Sequence, residues 1–434
     1  MPEQSNVVKT VLSNGLTIQL KEIHTAPIIS SWMWYRVGSR NETPGTTGVS
    51  HWVEHMQFKG TPKFPPGILD KMISREGGFW NAMTYIDWTT YFETMPADKI
   101  DIAYQLEADR MVNSSFDPKE VASERTVIIS EREGNENEPL FLLGEAVQST
   151  AYQQHPYHHE VIGDLKDLRS MTRDDLYQHY QKFYHPGNAI MTVAGDFESD
   201  RLLPYLTDLF GSIPSKPKPK LEIPVEPPQD GEKRVEVKGS GETTFIQVAY
   251  RAPNAIHDDF FPLLVLDSLL TGPSSLNILG GGGISNKTSR LYQQLVEKEL
   301  VVGVHGSLQT TIDPFMYDIT LTLHPQRKVD EVLVALEREI DQVLSGSVTQ
   351  KEIERSIKQT KALLVYSAEN ITNQAFWMGY SEIFATYDWF LTYLDRISAV
   401  KPADILRIAQ RYIQPSNRVV GVYLPSKNKG RKSK

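Results

Sequence analysis

Between Ser212 and Gly231 the chain cannot continue a regular element. Lys216–Lys220 reads Lys-Pro-Lys-Pro-Lys, and Pro224, Pro227 and Pro228 follow. Each proline fixes φ and lacks an amide donor, so this density reads as an extended, semi-rigid linker. It lies near the midpoint of 434 residues, a length that suits two or three domains better than one core. The expected division is residues 1–211, a linker over 212–231, and residues 232–434.

A midpoint linker prompts a search for duplication. Asp175–Pro186 (DLYQHYQKFYHP) and Asp404–Pro415 (DILRIAQRYIQP) share Asp175/Asp404, Gln181/Gln410, Pro186/Pro415 and Asn188/Asn417, each pair 229 residues apart. Both segments read as a helix, a Pro-x-Asn turn and a strand, Ala189–Ala194 in one and Arg418–Leu424 in the other. Two homologous α+β domains of about 200 residues follow. Val7–Leu12 and Leu16–Lys21 flank Asn14-Gly15, a strong hairpin signal. Ile28–Val37, Glu242–Arg251 and Met316–Leu323 read as strands. Helical spacing covers 47–58, 67–76, 99–111, 118–134, 172–183, 329–344 and 350–369.

Composition narrows the chemistry. Cysteine is absent, which removes disulfide frameworks, thiol nucleophiles and cysteine metal sites. Lys+Arg 45 against Asp+Glu 54 gives a formal charge of −9, the opposite of a nucleic-acid binder's basic footprint. Met1–Asn6 shows neither a basic nor an apolar export signal, and no apolar run approaches the roughly 18 residues of a membrane span. A soluble cytoplasmic protein is expected, with an organelle or periplasm open if a leader was removed.

Gly48–Gly60 reads GVSHWVEHMQFKG. On a helix His51 and His55 stack on one face with Glu54 beside them. Two imidazoles at this spacing can chelate a metal, and an adjacent carboxylate can take a proton from water there. The order is His-x-x-Glu-His, with Gly60 as the expected left-handed cap. A structural pair remains open until a third ligand is found. Asp117-Pro118-Lys119-Glu120 reads as a capped helix start, and the helix carries Glu124 and Glu131. Seven residues turn a helix by about 700°, so both share one face. Helix geometry alone does not rank one above the other.

These stretches, with Gly77–Tyr91 (GGFWNAMTYIDWTTY), His155–Tyr157 and Leu176–Asp196, resemble the pitrilysin/insulinase-type zinc peptidases, family M16. The resemblance is to the branch holding mitochondrial processing peptidase and its bacterial relatives. It implies mainly antiparallel sheets with helices packed on them, each chain forming half of a clamshell. It also implies one zinc ion held by His51, His55 and Glu131, with Glu54 as base and Glu124 orienting the site. Asn81 and Ala82 match an edge strand to which peptide substrates add. Gly280–Leu295 resembles the family's glycine-rich segment.

The chain departs from the pattern at Val296 and Gly303, where the resemblance leads one to expect an Arg and a Tyr that bind substrate and stabilise the oxyanion. Neither replacement offers a side-chain donor. The implied solution is a heterodimer with a homologous, zinc-less chain that supplies the pair. The expected activity is therefore that of a zinc metalloendopeptidase subunit acting on short or unfolded peptides. A non-catalytic scaffold of the same fold and a peptidase removing targeting sequences are the alternatives. His155, His158 and His159 are read as structural, and the basic tail from Ser426 to Lys434 as solvated.

Overall fold

The computed structural model describes residues 7–214, 216–274, 276 and 284–426. In chain order these form β1 (Val7–Val11), β2 (Thr17–Glu22), β3 (Ile28–Tyr35), α1 (Val49–Met56), α2 (Leu69–Arg75), β4 (Phe79–Thr84), β5 (Thr89–Pro96), α3 (Asp101–Asn113), α4 (Pro118–Asn135) and α5 (Pro139–Ala151). Then follow α6 (Leu165–Ser170), α7 (Arg173–Phe183), β6 (Ala189–Gly195), α8 (Ser199–Gly211), β7 (Lys233–Gly239), β8 (Phe245–Ala252) and α9 (Phe260–Leu270). The chain closes with β9 (Val301–Leu308), β10 (Phe315–Leu323), α10 (Val329–Leu344), α11 (Gln350–Ser367), α12 (Ile371–Phe384), α13 (Tyr387–Leu391), α14 (Tyr393–Ser398), α15 (Pro402–Tyr412) and β11 (Arg418–Pro425). The Gly280–Gly283 run and the tail from Lys427 lie outside the described residues.

The duplication is legible in topology. One sheet runs β1-β2-β6-β3-β5-β4 and the other β7-β11-β8-β10-β9. Apart from β1, the strand orders are the same. Both are mainly antiparallel, with one parallel pair each, β2 with β6 and β7 with β11. The architecture is α+β in both halves. Residues 216–230 of the proline-rich segment form neither helix nor strand.

Local chemistry accounts for the elements near the site. Gly15 turns the β1–β2 hairpin at φ +90°, and Asn14 donates to the Phe210 and Ile213 carbonyls at the end of α8, 2.8 and 3.1 Å. α7 starts on a capping box in which Thr172 and Asp175 bond each other's amides, satisfying donors the helix leaves free. In the first sheet β3 is buried almost throughout; Trp32 and Trp34 lie on one face and Met33 and Tyr35 on the other.

The compact units differ from a cut at the linker. One comprises residues 1–132, 159–223 and 368–390, and the other 133–158, 224–367 and 391–434. The segment with α5 therefore belongs with the second sheet, where Gly421 leaves room for Leu143 and Val147. The segment with α12 belongs with the first: Phe376 meets Trp32 edge-on at 5.5 Å, and Thr192 donates to the Ala375 carbonyl at 2.9 Å. A Cβ at Gly379 would overlap the Trp34 indole. Contiguous halves 1–211 and 232–434 thus describe the order along the chain, while the folded units trade one helical segment in each direction. Among the described residues no helix is long and apolar enough to cross a membrane.

This exchange generates a testable expectation. Cleavage at an engineered protease site within 216–220 should leave both fragments co-eluting in gel filtration. A chain ending at residue 223 should lose the native near-ultraviolet signal of Trp32 and Trp34, because α12 is missing. A soluble, natively packed 1–223 fragment would refute it.

Candidate active site

α1 is only eight residues long, too short to persist in water unaided. Its position is imposed. Gly48 precedes it at φ +86°, where a Cβ would overlap the Ile162 carbonyl. The buried Glu42 carboxylate accepts the Gly48 and Ser50 amides at 2.8 Å each, taking up donors that a helix start leaves unpaired. Burial pushes the Glu42 carboxyl up to about 8, against the pull of those amides. Asp167 accepts from the amides of Gly45 and Thr47 and from the Thr47 hydroxyl, at 3.1, 3.1 and 2.8 Å. At the other end Gly60 turns the chain at φ +87°.

α4 is set beside α1. Asp117 accepts the Lys119 and Glu120 amides at 2.8 and 3.4 Å, and Val121, Glu124, Ile128 and Arg132 form its buried face. Arg125 donates to the carbonyls of Leu168, Arg169 and Met171 at 2.8, 2.9 and 2.7 Å. The same guanidinium covers the fully buried Trp52 ring at 4.8 Å. One side chain thereby ties α4 to α1 and to the end of α6.

The two helices bring the three expected metal ligands together. The His51 and His55 Nε2 atoms lie 3.3 Å apart. Glu131 Oε1 is 3.9 Å from His51 Nε2, and its Oε2 is 3.8 Å from His55 Nε2. Taken one atom per residue, the three donors lie within 4.8 Å of one another; donors on one tetrahedral zinc sit roughly 3.3–3.6 Å apart, so the set fits such an ion once the Glu131 carboxylate moves in. Among the described residues this is the only group of three or more His or carboxylate residues whose ligand atoms come this close. Glu131 remains 42% exposed at its side chain while both imidazoles are largely covered, so the cluster opens on the Glu131 side.

Electrostatics act differently on the individual groups around the cluster. Burial, aided by His55, pulls His51 down to about 3. Burial acts downward on His55 too, but its hydrogen bond to Glu124 and the Glu54, Glu124 and Glu131 charges outweigh it and raise the pKa. His55 Nδ1 meets Glu124 Oε1 at 2.8 Å and Lys59 Nζ meets Glu124 Oε2 at 2.5 Å. Burial works upward on Glu124, and these two partners bring it below the usual carboxylate value. An ionised Glu124 accepting from Nδ1 leaves a lone pair on His55 Nε2. Glu54 is buried, which raises its pKa; its bond from Thr84 opposes the rise.

Asn81 and Ala82 lie on β4, the edge strand of its sheet. Asn81 Oδ1 accepts the Ala82 amide at 2.9 Å. Val296 ends a short helical turn over Tyr292–Val296, and Gly303 lies on β9, the edge of the second sheet. His155 is accounted for by Asp313 at 3.0 Å and the Tyr157 amide at 3.0 Å. Sequence reasoning missed Glu42, Lys59, Arg125 and Thr84. Lys59, four residues after His55, carried a helical-spacing signal; Glu42 carried none.

With this geometry in view, the relatives are informative. A family model described as Insulinase (Peptidase family M16) matches residues 17–165, and one described as Peptidase M16 inactive domain matches 170–360. Zinc protease PqqE of Helicobacter pylori is 28% identical over 424 residues, 95% of this chain and 91% of that protein. The probable mitochondrial-processing peptidase subunit beta of Arabidopsis thaliana is 24% identical over 437 residues, 98% and 80% of the respective chains. The crystal structure of a protease from Helicobacter pylori superposes with a TM-score of 0.89 at 26% identity, spanning 97% of this chain and 100% of that one. Both halves of this chain match the same family, and it belongs to peptidase family M16.

Proposed function

We propose that this chain is the zinc-bearing subunit of a metalloendopeptidase that hydrolyses short or unfolded peptides together with a homologous partner chain. The observation that carries the reading is the His51–His55–Glu131 donor set with Glu54 on the same helix as both imidazoles. A zinc ion held by those three residues would polarise the scissile carbonyl and acidify the attacking water. The chain's own groups do the rest. Glu54 accepts the proton of the attacking water and returns it to the leaving amine. Its burial raises its proton affinity, which suits a group that must hold a proton between the two transfers. Glu124 and Lys59 keep His55 oriented with Nε2 facing His51.

Peptide capture falls to β4. An edge strand offers unpaired backbone groups, so a substrate strand added at Asn81 and Ala82 binds through its main chain with little demand on sequence. The relative named a zinc protease supports the chemistry, and the one named a subunit beta supports a shared enzyme. The partner is argued from Val296 and Gly303, which leave no side-chain donor for an oxyanion. A second copy of the chain would lack the same groups. The partner's expected contribution is the Arg and Tyr.

Two outcomes follow. Glu54→Gln should keep zinc at the parental stoichiometry by elemental analysis while turnover of an unfolded peptide falls roughly 10²-fold or more; Glu131→Gln should lose zinc as well. A Glu54→Gln enzyme with full turnover would remove Glu54 from the reaction. The chain purified alone should be at least about 10²-fold slower than the same chain co-purified with a homologue bearing the Arg and Tyr, because each oxyanion donor is worth about that much. Full activity of the isolated chain would overturn the partner requirement.

A further inference from the structure

Glu54 has three side-chain torsions and must present one carboxylate oxygen to water, yet no other carboxylate in the site leans on a β-strand as it does. The Thr84 hydroxyl lies 2.7 Å from Glu54 Oε2. We infer that Thr84 is a positioning residue: its hydroxyl fixes Oε2 of Glu54 and so leaves Oε1 in one orientation to take the proton. This deepens the proposed function and rests on Glu54 being the proton acceptor.

The direction of the bond follows from counting protons. A threonine hydroxyl has one to give. Thr84 Oγ1 has two oxygen neighbours, Glu54 Oε2 at 2.7 Å and Thr89 Oγ1 at 3.3 Å. Thr89 donates its own proton to the Val37 carbonyl at 2.9 Å, so it has none left for Thr84. The carboxylate oxygen at the shorter distance outcompetes a hydroxyl oxygen at the longer one. The Thr84 proton therefore goes to Glu54.

The hydroxyl is itself held by backbone. Thr84 is the last residue of β4 and pairs with Thr89, the first of β5. The turn between them closes through the Tyr85 amide on the Trp88 carbonyl at 2.8 Å. Ser39 and Arg40 donate their amides to the Tyr85 and Ile86 carbonyls at 3.2 and 2.8 Å, and a Cβ at Gly38 would overlap both. The anchor of the base is thus a pinned hairpin end rather than a mobile side chain, which is what holding a reacting group in place requires.

The experiment uses the chain with its natural partner. Thr84→Val keeps shape and the amide but removes the hydroxyl; Thr84→Ser restores the donor. With zinc content unchanged, Thr84→Val should lower kcat roughly tenfold or more at a nearly constant KM, the loss expected for a hydrogen bond to a charged group. Thr84→Ser should remain within about threefold of the parent in kcat, and Thr84→Val should add nothing in a Glu54→Gln background. In a crystal structure of Thr84→Val the Glu54 carboxylate should leave its single position. Parental kcat in Thr84→Val, equal losses in the two variants, or an unmoved carboxylate would overturn the inference. A fully active Glu54→Gln enzyme would instead overturn the role of Glu54 on which it stands.

Discussion

The site depends on the capping of a two-turn helix by a buried carboxylate. α1 carries His51, Glu54 and His55, and it has too few residues to form by its own propensity. Glu42 receives its first amides, and His179 Nε2 meets the Ser50 hydroxyl at 3.1 Å. The close approaches at Gly48 and Gly163 bring 162–163 onto 47–48 without room for a side chain. If the cap is lost, the helix loses the acceptors of its first amides and its register against α4. Every distance in the donor set depends on that register.

Such a cap does not raise stability by much. A buried carboxylate costs several kcal/mol in lost hydration, and its hydrogen bonds return a comparable amount. What the arrangement supplies is uniqueness: a helix start that satisfies Glu42 in one place and nowhere else. The same logic applies to Arg125, which donates to three carbonyls and covers Trp52. Its guanidinium presents a rigid fork, so the carbonyls at the end of α6 fix where α4 can lie. Glu124 and Glu131 inherit that position.

Much of this was legible in the sequence because it is local. Helical spacing predicted Val329–Leu344 with the bounds observed, and the His51/His55 and Glu124/Glu131 intervals already placed each pair on one helix face. The shared spacing of 229 residues anticipated two sheets of matching strand order. What local periodicity lacks is any record of distant packing. α5 and α12 are apolar helices whose sequences do not say which sheet they cover, and their exchange between units had no signature. Thr84 was passed over because it sat in a stretch read for its backbone. Glu42 was passed over because an acid seven residues before a helix falls outside every capping pattern.

The exchange bears on what the second half of the chain does for the first. That second half cannot be shed without loss to the first. α12 follows α11 in sequence but lies against Trp32 and Trp34, packing on β3 and β6. Those tryptophans occupy the face of β3 opposite Tyr35, whose ring lies 4.4 Å from Tyr184 and 6.0 Å from Tyr91. Removing the cover would expose two large aromatic side chains at a cost of several kcal/mol, a large fraction of a domain's net stability. β3 and β5, which lie between that face and the Thr84–Glu54 contact, would loosen with it. The second half of the chain, through α12, can therefore hold the geometry of the strand that contacts Glu54.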